Sequence, residues 1–192
     1  MNNLLVLLVG PSAIGKSSIE EELCKVDDVD HLTIYTSRDG REEDVGYKHL
    51  TVEEIHESKD LHVYAKLSDS WVYAISDTEL LQTGTRVLSV ITNKVASNVQ
   101  HRLRLKNIDY ITVFIDSART VRVARMIARG ESSESIEARL EYETLDVSYV
   151  TLRADIEKHD YDYTTDFDEM VIAIKDIILT MQQSNNDVGG IN

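Results

Sequence analysis

Apolar residues along this chain gather into a few short, nearly unbroken runs, separated by longer stretches where they recur every three or four positions. The runs Leu4–Val9, Leu32–Thr36, Arg86–Thr92 and Tyr110–Ile115 are too short for helices and rich in β-branched residues, so they predict strands. Helices are predicted over Lys16–Cys24, Thr51–Ser58, Asp77–Thr83, Lys94–Leu105, Ala118–Ala128, Ser133–Ile156 and Phe167–Met181. Two of them have start signals: Ser76 or Asp77 ahead of Thr78, and Asp116 or Ser117 ahead of Ala118. Such alternation predicts an α/β fold, a parallel sheet with helices on both faces. The stretch Arg41–Tyr73 breaks the rhythm and is expected to be a small insertion, spanning 37–75 in full. No linker or repeat divides the chain, so residues 1–182 are read as one domain and the polar stretch 183–192 as a disordered tail.

Composition narrows the picture. With 192 residues, 42% hydrophobic and 28% charged, the chain has the balance of a globular protein able to close a core. The apolar run Leu4–Val9 is far short of the ~20 residues that cross a bilayer, and without a basic start or a cleavage site it reads as a buried strand. The single cysteine, Cys24, excludes an internal disulfide and a cysteine-based zinc site, and suits a packed thiol in a reducing cytoplasm. No membrane partner is expected. A net charge of −14 argues against nucleic acid, whose binding depends on neutralising phosphates with Lys and Arg. Against that acidic background Arg119, Arg122, Arg125, Arg129 and Arg139 cluster in sequence. They are either a solvated helix face or a site for one local anion.

The sharpest chemical signal follows the first strand. Gly10-Pro11-Ser12-Ala13-Ile14-Gly15-Lys16-Ser17 matches G-x-x-x-x-G-K-[ST] without a gap, between a predicted strand and a predicted helix. Gly10 and Gly15 allow the backbone to curl so that N–H groups converge on phosphate, and the helix start adds its positive dipole end. In such a loop Ser12, Ala13, Ile14 and Ser18 complete the cradle for ATP. Lys16 reaches the β- and γ-oxygens, and the Ser17 hydroxyl holds Mg²⁺. The expected acid on a neighbouring strand is missing, because Arg86–Thr92 ends without a carboxylate. Either Ser17, phosphate and water hold the ion, or an acid such as Asp116 reaches it.

Two further stretches fit a phosphotransferase. Arg38 and Arg41 lie three apart in a glycine-containing loop ahead of Tyr47. They form a surface loop or a fork for a phosphomonoester, and a kinase needs such a second anion site. Farther on, Arg129 ends one helix, Gly130 breaks it, and Ser132 or Ser133 can cap the next, which carries Arg139. That pattern, over 119–145, suits a lid that closes guanidiniums over the transferring group and excludes water. The histidines show no metal-ligand spacing. Trp71 and Tyr64 are read as core residues in preference to stacking on a base.

Taken together these stretches resemble the guanylate kinase family from about residue 4 to 181: GPSAIGKSS at 10–18, TSRDGRE and VGY within 36–47, ARGESSESIEARL at 128–140, and YDY at 161–163. The resemblance implies a P-loop kinase fold with core, helical lid and acceptor-binding insertion, using ATP and Mg²⁺. It implies that Arg38, Arg41, Tyr47 and Tyr73 grip the acceptor phosphate. Lys16, Arg129 and Arg139 would act on the transferring phosphoryl, with Arg125 a further lid residue. The departures concentrate on the acceptor base. Positions where the family reads guanine with acids fall on Val63 and Thr92, and two hydroxyl positions fall on Ile34 and Ile75. The expected acceptor is therefore a nucleoside monophosphate not read as guanine. The alternative is a base-free acceptor, since Tyr35-Thr36-Ser37-Arg38 also resembles ribose 1,5-bisphosphate phosphokinases. A catalytically inactive protein-binding module is disfavoured by the complete phosphate loop.

Overall fold

The computed structural model describes residues 3–38, 46–66, 71–90, 93–115, 117–145, 160–163 and 167–188. The chain begins with strand β1 (Asn3–Val9), helix α1 (Lys16–Leu23) and strands β2 (Val29–His31), β3 (Ile34–Thr36) and β4 (Tyr47–His49). Next come α2 (Val52–Glu57), β5 (Leu61–Lys66), β6 (Val72–Ser76), α3 (Asp77–Leu80) and β7 (Gly84–Val90). It closes with α4 (Asn93–Lys106), β8 (Asp109–Ile115), α5 (Arg119–Ala128), α6 (Ser133–Leu145), β9 (Asp160–Tyr163) and α7 (Phe167–Val188).

Five strands form a wholly parallel sheet in the order β2-β7-β1-β8-β9. The central strand explains its own sequence. Leu5, Leu7 and Val9 face a core shared with Val95, Ala96, Val99 and Leu103 of α4. Val6 and Leu8 face the other core, closed by Ile19 and Leu23 of α1 and by Met170, Val171, Ile174 and Ile178 of α7. A strand covered on both sides has no polar face, hence the unbroken apolar run. Each fully buried leucine here contributes roughly 1.5–3 kcal/mol relative to exposure. No helix among the described residues is long and apolar enough to cross a membrane.

The insertion is a second sheet, ordered β4-β3-β6-β5. Its β6 is buried along its whole length. Tyr73 and Ile75 turn toward the α4 core, while Val72 and Ala74 turn toward Ile55 of α2. A full capping box starts α2: the Thr51 hydroxyl accepts from the Glu54 amide, and the Glu54 carboxylate accepts from the Thr51 amide.

Several expectations are corrected. The predicted strand Leu32–Thr36 is not one strand of the parallel sheet: β2 joins that sheet one residue before Leu32, and β3 belongs to the insertion. The hydroxyl of Ser76 caps α3, as expected, but the N-cap of α5 is Ala118, whose methyl group makes no capping hydrogen bond. Helix α7 continues to Val188 through the beginning of the stretch read as a tail. Trp71 is 45% exposed and lies outside the core. The predicted continuation of α6 to Ile156 falls outside the described residues beyond Leu145.

Candidate functional site

The loop between β1 and α1 is built by three local constraints. A Cβ on Gly10 would stand 2.4 Å from the Ile115 carbonyl oxygen at the end of β8, so only glycine passes there. Ala13 and Gly15 take left-handed conformations, at φ 61° and 109°, which bend the loop back on itself. Ile14 is buried in the α1/α7 core and anchors the turn. Helix α1 then starts at Lys16, with Gly15 as an N-cap that supplies no side-chain oxygen. The first N–H groups of this helix are thus left to an outside acceptor. Lys16 Nζ folds across the loop, donating to the Gly10 carbonyl at 2.7 Å and the Pro11 carbonyl at 3.0 Å. Ser17 and Ser18 are exposed in the first helical turn, whereas Ser12 is buried.

From the other side, two arginines of α5 hold the loop by its carbonyls. Arg125 Nη1 donates to Ile14 O at 2.9 Å and to Ala13 O at 3.3 Å, and Arg122 Nη1 donates to Ser12 O at 3.4 Å. Arg122 and Arg125, two members of the basic cluster, thus brace the loop from behind. Arg129 and Arg139 stand on either side of the turn between α5 and α6. Arg129 is the C-cap of α5, Gly130 makes the left-handed turn at φ 75°, and the Ser132 hydroxyl caps α6 through the Ser135 amide at 3.2 Å. Arg139 Nε pairs with Glu131 Oε2 at 3.0 Å across this turn.

Of the residues expected at the acceptor, Arg38, Tyr47 and Tyr73 lie within the insertion. The Arg38 guanidinium stands 5.5 Å from the centre of the Tyr47 ring, in cation–π range, and its backbone is fixed at both ends. Arg38 N donates to Thr36 Oγ1 at 3.1 Å, and Arg38 O accepts from His49 Nδ1 at 2.9 Å. Tyr73 lies opposite Thr36 in the sheet, with its ring 6.4 Å from that of Tyr64. Burial pushes the Tyr64 phenol above its ordinary range, so it stays protonated. Ile34 and Ile75 face each other in register and are fully packed in the α4 core. Val63 is not brought to this group. It pairs with Ala74 and packs on the α2 side of the sheet, opposite Tyr73. Arg41, Thr92 and Asp116 lie outside the described residues.

One buried acid was not anticipated. Glu20 of α1 places Oε1 2.9 Å from His31 Nδ1 and accepts from Ser89 Oγ through Oε2 at 2.5 Å. The Glu20 bond raises the His31 pKa against the opposing effect of burial. The available signal was positional: Glu20 shares the buried face of α1 with Ile19 and Leu23, where an acid is out of place. Cys24, by contrast, has a thiol pushed up to about 12 by burial, which leaves it inert as a nucleophile.

Among the described residues there is no cluster of three or more His, Cys, Asp or Glu able to cage a metal. The exposed Ser17 hydroxyl fits Mg²⁺ together with phosphate oxygens and retained waters, to which such sites usually add one or two carboxylates.

No protein-family model matches the sequence, and no curated protein is significantly similar to it. Among solved structures, the chain is similar to the crystal structure of guanylate kinase from Anaplasma phagocytophilum, with a TM-score of 0.63 at 15% identity. The match covers 94% of this chain and 87% of that one. At this identity the likeness is one of fold, and the chain has the α/β architecture of a P-loop kinase, like that of guanylate kinase.

Proposed function

We propose that this protein is a phosphotransferase that moves the γ-phosphoryl group of ATP onto the phosphate of a nucleoside monophosphate. The observation that carries the reading is the loop 10–17, curled around the start of α1 with Lys16 folded over it and its carbonyls held from behind by Arg125. With the Ala13 and Ile14 carbonyls drawn toward Arg125, the Ile14 and Gly15 amides of the same peptide planes turn the other way, as a triphosphate requires. In use, Lys16 would leave the Gly10 and Pro11 carbonyls for the β- and γ-oxygens. Mg²⁺, held by the Ser17 hydroxyl, would neutralise charge on those same oxygens. Arg38 and Tyr47, with Arg41 and Tyr73, would fix the acceptor phosphate in line with the γ-phosphorus. Arg129 and Arg139 would approach from the lid as charge develops. Such arginines matter because positioning and electrostatics supply nearly all of the catalysis in phosphoryl transfer.

The acceptor base is read differently from guanine. Ile34 and Ile75 offer no hydrogen-bond partner, and Val63 faces the α2 side. Guanine would leave its N1 and N2 donors unpaired there, at about 1–3 kcal/mol for each. A base-free acceptor, ribose 1,5-bisphosphate, is favoured by one observation: Ile34, Tyr64 and Ile75 are already packed against α4. The half-buried, unreactive Cys24 suits work in a reducing cytoplasm. An inactive binding module has no use for so complete a loop. A coupled ADP-release screen over nucleoside monophosphates, deoxynucleoside monophosphates and ribose 1,5-bisphosphate tests the reading. Turnover of non-guanine acceptors is expected, and turnover of GMP alone contradicts it.

A further inference from the structure

P-loop enzymes commonly present an acid to the nucleotide's Mg²⁺ from the end of the strand beside the loop. Here that strand is β7, paired with β1 along its full length, and near its end it carries Ser89, level with Leu8. Its described residues, Gly84–Val90, include no carboxylate. The space beside Ser89 nevertheless holds one. Glu20 reaches in from α1 and accepts the Ser89 hydroxyl at 2.5 Å, while His31 on β2 engages its other oxygen at 2.9 Å.

Three features set Glu20 apart from an accident of packing. Its residue is only 8% exposed, and a buried carboxylate is costly unless something uses or compensates it. It lies three residues after Ser17, so the two Cβ atoms are about 5–6 Å apart along the helix surface. And its two partners occupy one direction on each oxygen of a group with about four acceptor sites, leaving directions open for water.

We propose that Glu20 supplies the carboxylate of the Mg²⁺ site, delivered from α1 in place of the acid that β7 lacks. Ser17 is the direct ligand. Glu20 accepts hydrogen bonds from water on the ion, and Ser89 and His31 orient it. Mg²⁺ retains several waters and depends on such outer partners, whose removal typically weakens metal affinity 10–100-fold. The proposal rests on reading residues 10–17 as a nucleotide-phosphate cradle.

The test is calorimetric titration of a non-hydrolysable ATP analogue at stepped free Mg²⁺. It compares wild type, Glu20→Gln and the double variant Glu20→Ser/Ser89→Asp, which returns the carboxylate to β7. Glu20→Gln keeps the shape of the side chain while replacing one accepting oxygen by a donating NH2, to which the Ser89 hydroxyl or the His31 tautomer can adjust. It is expected to melt near wild type yet to need about 10–100-fold more Mg²⁺ for the same binding. The double variant is expected to recover most of that loss. A folded Glu20→Gln protein with wild-type Mg²⁺ dependence overturns the proposal. If Glu20→Gln does not fold, a folded double variant lacking Mg²⁺ dependence overturns it instead. A wild type that binds the analogue equally well without Mg²⁺ also sinks it, whereas a wild type that binds no nucleotide removes the cradle reading itself.

Discussion

Arg125 Nη1 donates to the Ile14 carbonyl at 2.9 Å, tying helix α5 to the far side of the loop that Lys16 closes from within. The same helix is C-capped by Arg129, just ahead of the left-handed turn at Gly130. The shape of the loop and the position of α5 are therefore joined through Arg125, with Arg122 holding the Ser12 carbonyl beside it. Arg125→Ala is expected to weaken ATP binding by about 1 kcal/mol, or roughly fivefold, because a charge-assisted bond at an exposed site is partly replaced by water. Isothermal titration with ATP checks this, and unchanged affinity would show the brace to be idle.

Gly10 is required by sterics. The Ile115 oxygen that its Cβ would meet belongs to the backbone of a buried strand end and cannot swing aside. Gly10→Ala is expected to destabilise the fold by about 1–3 kcal/mol, lowering the melting temperature by roughly 2–12 °C. A melting curve superimposable on wild type would refute the close approach.

Arg38 combines a charge with a planar contact on Tyr47. Arg38→Ala is expected to raise the acceptor KM at least tenfold while changing the ATP KM little. Arg38→Lys is expected to rescue only in part, since an ammonium neither forks onto a phosphate nor stacks. Steady-state kinetics varying each substrate separates the two constants. An unchanged acceptor KM would remove Arg38 from the site.

The acid limb of stability is expected to involve Asp60. Its carboxylate accepts from Ser76 Oγ, from Thr78 Oγ1 at 2.6 Å and, at the start of α3, from the Thr78 amide at 2.8 Å, and these bonds hold it below the usual carboxylate range. A folded pKa lower than the unfolded one stabilises the native state above the unfolded pKa. That contribution is lost as pH falls through the folded value. The difference in urea midpoint between wild type and Asp60→Asn should thus be constant from pH 5 to 7 and shrink below about pH 3.8. A difference independent of pH would assign the effect to packing.

Much of this was legible in the chain, for reasons that differ by region. The strand Leu4–Val9 and the loop after it announce themselves because both faces of β1 are buried and the loop geometry demands particular glycines. Gly130 marks the turn between α5 and α6 for the same conformational reason. The insertion was harder to read. Strands β3 and β4 are each three residues long, too short for a periodic signal, and β5 carries a bulge between Val63 and Ala65 that upsets its alternation. Resemblance sets Val63 at a guanine-reading position, while its side chain packs on the α2 side, because register decides which face a side chain takes. Glu20 was invisible for another reason: a lone acid on a short helix looks like solvent-facing charge until Ser89 and His31, distant in sequence, close around it.

Phosphoryl transfer itself stands or falls on Lys16, and the variant Lys16→Met isolates it. Acceptor-dependent ADP release is measured for wild type and for this variant, alongside their melting temperatures. The account predicts clear release by wild type and none above background by Lys16→Met, with both proteins melting alike. Equal release by the two proteins, or none by wild type with any phosphorylated acceptor, would contradict it.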